Sequence, residues 1–443
     1  MKRRREKNLL RKYVAVFLVS VLICLVAVGI ATFARKDEKI KQELPKIEIF
    51  LKDGLTLEEI NKGEKDIKYD GNEVAITENG VTMEYANVEI KGRGNTTWTE
   101  PKKPYRIKFM RKVEILGLKK VKKWALLAYY SDTSLLRGDL GFYVARLINS
   151  DYPLEGEFAN VAVNGEDLGL YYVTPTITIG KNVVDLREPL GVLVELDGAW
   201  YDYTDDVKYK TVNGDYLVVK DVASDDLEEE AAEMFGREFD KFEEAVKRND
   251  FAGAAEIMDM RSLAEYFLFS EFMQNSDAYL TSFYFYKDGE EDKIHAGPMW
   301  DFDGTMENNN WRERQGVRSF VSGKALMRWV FIEEDEVRVA APSEGDGMSY
   351  VMYKLMMMPE FMDLVRRIYV EKLAGKKDVM LSYLQEKADY IRDDAIRNKE
   401  LWGVGDYEAE VEYLKWWVET RFRLYDSVYG GRVLMPSEIV TER

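Results

Sequence analysis

Three aspartates in two short stretches have the types and spacing to do chemistry. Asp277 lies in Gln274-Asn275-Ser276-Asp277-Ala278-Tyr279-Leu280-Thr281-Ser282, where a helical pattern ends. Asp301 and Asp303 lie in Gly297-Pro298-Met299-Trp300-Asp301-Phe302-Asp303-Gly304, beyond the aromatic strand pattern Phe283-Tyr284-Phe285-Tyr286. A hairpin-length excursion thus returns two carboxylates to the neighbourhood of a third. The arrangement suits phosphoryl transfer, in which one carboxylate orients or deprotonates an acceptor hydroxyl while another holds magnesium against nucleotide phosphates. Asp and Asn also act as caps and turn formers, so each residue alone has an ordinary reading. The spaced set favours the chemical one. A glycosidase using Asp301 and Asp303 is disfavoured, because two acids in one loop do not flank a sugar bond from opposite sides.

The remaining inventory narrows the alternatives. His295 is the single histidine and Cys24 the single cysteine. Ser-His-Asp and Cys-His catalysis therefore lack a spare imidazole, and multi-His zinc sites cannot be built. With Cys24 inside an apolar N-terminal run, the body has no thiol for a disulfide or a nucleophile. Carboxylate chemistry is what remains.

The chain has 443 residues, 46% hydrophobic and 13% aromatic, which supports a substantial packed core. Its net charge is −17, although residues 1–12 carry Lys2, Arg3, Arg4, Arg5, Lys7, Arg11 and Lys12 against one acid. The body is accordingly more acidic than the total, which argues against nucleic-acid binding. The basic head precedes Tyr13–Phe33, an uncharged apolar run long enough to cross a bilayer as a helix. By the positive-inside rule, residues 1–12 stay cytoplasmic and the body lies outside. A cleaved signal peptide is the rival, but its apolar core is usually shorter, and Thr32-Phe33-Ala34 is a poor small-x-small site. Residues 34–45 read as a charged tether, 46–430 as the folded body and 431–443 as a tail.

Elements must position the acids. From Lys46 the pattern is of short alternating strands, including Val88-Glu89-Ile90-Lys91. Gly92 and Gly94 flank Arg93 after that strand, and such a loop can offer amides and a guanidinium to phosphate, or simply make a turn. In Tyr105-Arg106-Ile107-Lys108-Phe109 the cations alternate with apolar residues, as either a phosphate-facing or a solvated face. Asn164-Gly165 joins two strands as a hairpin. Helices are expected at Leu135–Ile148, Leu227–Lys247, Arg261–Gln274, Met352–Met358, Pro359–Leu373, Lys377–Arg397 and Tyr407–Tyr429.

The ordered motifs RGNTTW, KKPYRIKF, WALLAYYSDTSLLRG, VAVNGEDLGLYYVT, GVLVELD, FMQNSDAY and GPMWDFD, with the late segment Val411–Arg421 and Asp426, resemble the spore-coat CotH kinase family over roughly residues 46 to 430. The resemblance implies an α+β, atypical protein-kinase-like, two-lobed fold, with a β-rich lobe over about 46–200 and a helical lobe over about 201–430. It also implies a secreted or surface enzyme using ATP and Mg2+ or Mn2+ on Ser or Thr of a protein substrate. Residue by residue, Asp277 matches the family's catalytic Asp and Asp301 its metal-binding Asp, with Asp303 assisting. Arg93, Lys103, Arg106 and Lys108 fall in the phosphate-facing segments, and Asp139 is the candidate helix partner for a strand cation. Two positions depart from the pattern. Ser282 stands where a metal-binding Asn is common, and Pro175 where relatives carry a Glu. A surface scaffold without transfer activity is the alternative reading.

Overall fold

A computed structural model of the chain describes residues 43–148, 151–198, 206–308, 330–333, 336–339 and 342–429. The basic head, the apolar run Tyr13–Phe33, nearly all of the tether and the tail lie outside them. Among the described residues no helix is long and apolar enough to cross a membrane. From Pro45 onward the chain forms one compact unit.

Seven strands come first: β1 (Lys46–Phe50), β2 (Tyr69–Glu78), β3 (Val81–Gly92), β4 (Tyr105–Val113), β5 (Val121–Leu127), β6 (Glu157–Val163) and β7 (Glu166–Pro175). They close into a barrel in the order β1-β2-β3-β4-β5-β7-β6. β1 makes the closure, pairing antiparallel with β2 and parallel with β6, so that Ile49 lies between Val74 and Val163. Alternation along the strands sends Ile47, Ile49, Val74, Ile76, Ile90, Ile107 and Trp124 inward, all buried. The β6–β7 turn has φ of 50° at Asn164 and 81° at Gly165, the left-handed pair that a two-residue hairpin of this sequence favours. Helix α1 (Leu57–Lys62) follows β1, and α2 (Arg137–Ile148) lies between β5 and β6.

A second sheet runs in the order β12-β11-β8-β10-β9. Its strands are β8 (Gly191–Leu196), β9 (Lys208–Lys210), β10 (Tyr216–Val222), β11 (Phe283–Asp288) and β12 (His295–Ala296). β8 is the central strand and every one of its residues is buried, which explains its near-continuous apolar sequence. Around this sheet stand α3 (Glu228–Lys247), α4 (Phe251–Ile257) and α5 (Met260–Met273). The small hairpin β13 (Val330–Glu333) with β14 (Glu336–Val339) comes next, then α6 (Gly347–Met356), α7 (Pro359–Lys372), α8 (Lys377–Trp402) and α9 (Tyr407–Tyr429). The protein is therefore mixed α+β, β-rich in its N-terminal part and helical in its C-terminal part. The boundary expected near residue 200 falls inside a sheet, because β8 comes from before it and the other four strands of the sheet from after it.

Helix α5 is the axis of the second half. All its residues except Arg261 are buried, as befits a helix apolar nearly all round. Its start is fixed by Asp259, whose side chain accepts the Ser262 amide at 2.6 Å. Its end is a left-handed Gln274 at φ 48°, with the Asn275 amide bonded back to the Ser270 carbonyl at 2.9 Å. That six-to-one closure stops the helix and aims the next residues out of its axis.

Candidate active site

Asp277 leaves the end of α5 in a tight turn. Its amide donates to the Asn275 side-chain oxygen at 3.2 Å, and its carbonyl accepts the Leu280 and Thr281 amides at 3.0 and 3.1 Å. The second acid loop is stitched directly to the first. The Met306 amide donates to the Met273 carbonyl at 2.9 Å, and the Ser276 amide reaches the Gly304 carbonyl at 3.4 Å. Gly304 is required at this approach, since a Cβ there would lie 2.6 Å from Ser276 Oγ and 3.4 Å from Asp277 Oδ2. β11 and β12 thus bring two loops together that are distant in sequence, and the carboxyls of Asp277, Asp301 and Asp303 come within electrostatic reach.

Asp301 occupies the left-handed region at φ 65°, uncommon for a residue other than glycine. Such a conformation persists where the surroundings over-determine it. Here the Ser282 hydroxyl donates to Asp301 Oδ2 at 2.9 Å. Phe302, between the two acids, is wedged against Phe142 and Phe269 at ring separations of 4.7 and 5.0 Å. Gly141 of α2 makes room for it, as a Cβ there would fall 2.5 Å from the Phe302 side chain. Burial, then the nearby charges of Asp301 and Asp277 and a hydrogen bond to the Asp301 carboxyl, push Asp303 well above the usual carboxylate range. The neutral Tyr129 phenol is buried beside the same pair.

Burial and the neighbouring acids thus disfavour the charged form of Asp303, and a divalent cation held by the Asp301 and Asp303 carboxylates would offset that cost. Among the described residues no three His, Cys, Asp or Glu side chains gather tightly enough to cage an ion alone. This donor set fits magnesium, which takes one or two carboxylates and completes its shell with water and phosphate oxygens.

Several neighbours of the acids were not singled out from sequence. β8 carries Glu195 and its extension Asp197 on one face. Asp197 accepts the Thr281 hydroxyl at 3.4 Å, while the Gly198 amide donates to the Leu280 carbonyl at 2.9 Å. Glu195 is buried, raised first by desolvation and further by Asp197 and Asp301, and its counter-ion is Lys220 of β10 at 3.1 Å. The Tyr284 phenol lies among Glu195, Arg93 and Asp301. The signal was present in GVLVELD, since acids at the end of a strand that is otherwise wholly apolar need a reason to be buried.

The cations proposed from sequence separate into two groups. Arg93 reaches the acid loop, with its guanidinium 5.3 Å from the centre of the Trp300 ring. Lys103 donates to the Trp98 carbonyl and lies 5.3 Å from the Trp98 ring centre. Arg106 is paired with Glu89, and Lys108 stands 3.9 Å from the same carboxylate. The strand cations thus meet an acid of the neighbouring strand, opposite Lys108 in register. Asp139 does not supply that partner. Its buried carboxyl accepts the Tyr383 hydroxyl at 3.0 Å, because that side of α2 packs on α8 rather than on the barrel strands.

Two arginines brace the loops from elsewhere. Arg137 of α2 pairs with Asp132 at 2.6 Å and Glu410 at 3.0 Å, and reaches the Met306 carbonyl at 3.5 Å. Arg421 of α9 is fully buried and donates to the Phe272 carbonyl at 3.0 Å and to the Glu271 carbonyl. It places a cation on the C-terminal carbonyls of α5, immediately before Asp277.

The family model described as CotH kinase protein matches residues 90–425. No curated protein matches the chain.

Proposed function

The chain belongs to the CotH kinase family, and from that premise we propose that it transfers the γ-phosphoryl group of ATP to a Ser or Thr hydroxyl of a surface or coat protein. The observation that carries the reading is the approach of two separate loops, stitched by backbone hydrogen bonds, which brings Asp277 within electrostatic reach of the hydrogen-bonded Asp301–Asp303 pair. A magnesium or manganese ion, when bound, would neutralise the phosphates and orient them for in-line attack. Asp301 and Asp303 would hold it, and Ser282 would keep the Asp301 carboxylate in place. Asp277 accepts the proton of the acceptor hydroxyl, and Arg93, steadied on Trp300, faces phosphate. The two-part body would act as the two lobes of a kinase-like fold, and Tyr13–Phe33 would tether it outside the membrane.

The test is label transfer from γ-labelled ATP to a mixture of surface proteins. The wild type should label an acceptor, and Asp277→Asn should lower the rate by about two orders of magnitude or more. Labelling that survives Asp277→Asn unchanged would remove Asp277 from the mechanism. One observation favours a second reading, a scaffold without transfer activity. Ser282 uses its hydroxyl on Asp301, so this position offers a weaker ligand for a second ion than an amide would. That reading requires no label transfer from the wild type with either metal.

A further inference from the structure

A second group of hard oxygen donors lies at the turn between β9 and β10, against α3 and the start of α6. The turn Thr211-Val212-Asn213-Gly214-Asp215 is closed by the Thr211 amide on the Asp215 carbonyl at 2.9 Å and the Gly214 amide on the Thr211 carbonyl at 3.0 Å. Glu243, fully buried on α3, faces into it. Its carboxyl takes the Asn213 amide at 3.3 Å and the Thr211 hydroxyl at 3.4 Å, both long contacts. The Asp215 carboxyl packs on Gly347 at the head of α6, facing the Met348 amide. Among the described residues three polar atoms here are buried and lack a partner: Asp215 Oδ2 and both Asn213 side-chain atoms, with Asn213 only 5% exposed. Among the described residues neither Asp215 nor Glu243 has a Lys or Arg partner. A buried Glu243 and a half-buried Asp215, neither with a counter-ion, beside an amide oxygen left unbonded, are costly as they stand.

We propose that Thr211, Asn213, Asp215 and Glu243 form a binding site for a hard divalent cation, calcium in the first instance. Two carboxylates, an amide oxygen and a hydroxyl oxygen form the irregular, all-oxygen set that calcium accepts, with water completing the shell. The ion supplies the missing counter-charge and the missing partner for Asn213. It also pins the β9–β10 turn to α3 and α6. The site is independent of the acid loops and of the transfer reaction.

Calorimetric titration of CaCl2 into EDTA-treated full chain carrying Asp301→Ala and Asp303→Ala tests this without interference from the other acids. One calcium should bind per chain, and Glu243→Gln, which preserves shape, should weaken it by about tenfold or more. Asp215→Asn should do the same, which covers the case in which one variant fails to fold. Absence of calcium binding, or equal binding in folded Glu243→Gln and Asp215→Asn proteins, would overturn the site. The same titration with MgCl2 should give weaker binding, and magnesium binding tighter than calcium would overturn the assignment of the ion.

Discussion

Asp303 is the residue on which the chemistry turns. Burial, with Asp301 and Asp277 close by, raises its pKa well above the usual carboxylate range, and a bound cation would favour the charged form that these surroundings oppose. Asp303→Asn should therefore leave the melting temperature of the metal-free protein near or above that of the wild type, while abolishing the stabilisation given by magnesium with nucleotide. A large loss of metal-free stability would show instead that the carboxylate is needed ionised. At this scale the sequence was informative about identity. Asp277, Asp301 and Asp303 stood out because their turns are spaced by a strand pair. Glu195, Asp197 and Lys220 did not, because pairing across β8, β10 and the Asp277 loop is a matter of register, and a single sequence does not print register. For the same reason the strand cations were expected to face phosphate, whereas Arg106 and Lys108 meet Glu89 across β3 and β4.

Among the elements, α5 and its two supports decide where Asp277 sits. Arg421→Met keeps bulk but leaves the carbonyls of Glu271 and Phe272 without their donor, and should cost about 2–4 kcal/mol in chemical denaturation. Turnover should fall further than stability explains. A variant as stable and active as the wild type would deny the brace. Glu265, also on α5, is pushed up to about 7 by burial, against the pull of Arg261. A carboxyl raised in the folded state stabilises below its unfolded pKa, and that contribution is lost as pH rises to about 7. Between pH 4.5 and 8, wild type should therefore lose up to roughly 3 kcal/mol relative to Glu265→Gln. A constant difference between the two proteins across that range would refute the shift. The helices themselves were legible, with α5 read to within a residue at each end and α9 at both ends, because hydrophobic period and helix starts are local signals. Asp139 was misread because its helix face packs on Tyr383 of α8, a contact far away in sequence.

For the molecule as a whole, strand alternation announced a β-rich first part but not the closure of seven strands, which depends on the parallel pairing of β1 with β6. Nor did it show a second sheet drawing β8 to β11, the pairing that sets Glu195 and Asp197 beside the acid loops. What the topology achieves is to deliver Asp277 at the end of one buried helix and Asp301 and Asp303 at the end of one strand pair, with backbone hydrogen bonds locking the two loops together. The central claim is that these loops form one site for a metal-bound nucleotide. Calorimetric titration of ATP into the purified body, with and without magnesium, measures it directly in the wild type and in Asp301→Ala. The wild type should bind ATP only with magnesium, and Asp301→Ala should lose that dependence together with most of its affinity. Equal magnesium-dependent binding in the two proteins would contradict the account.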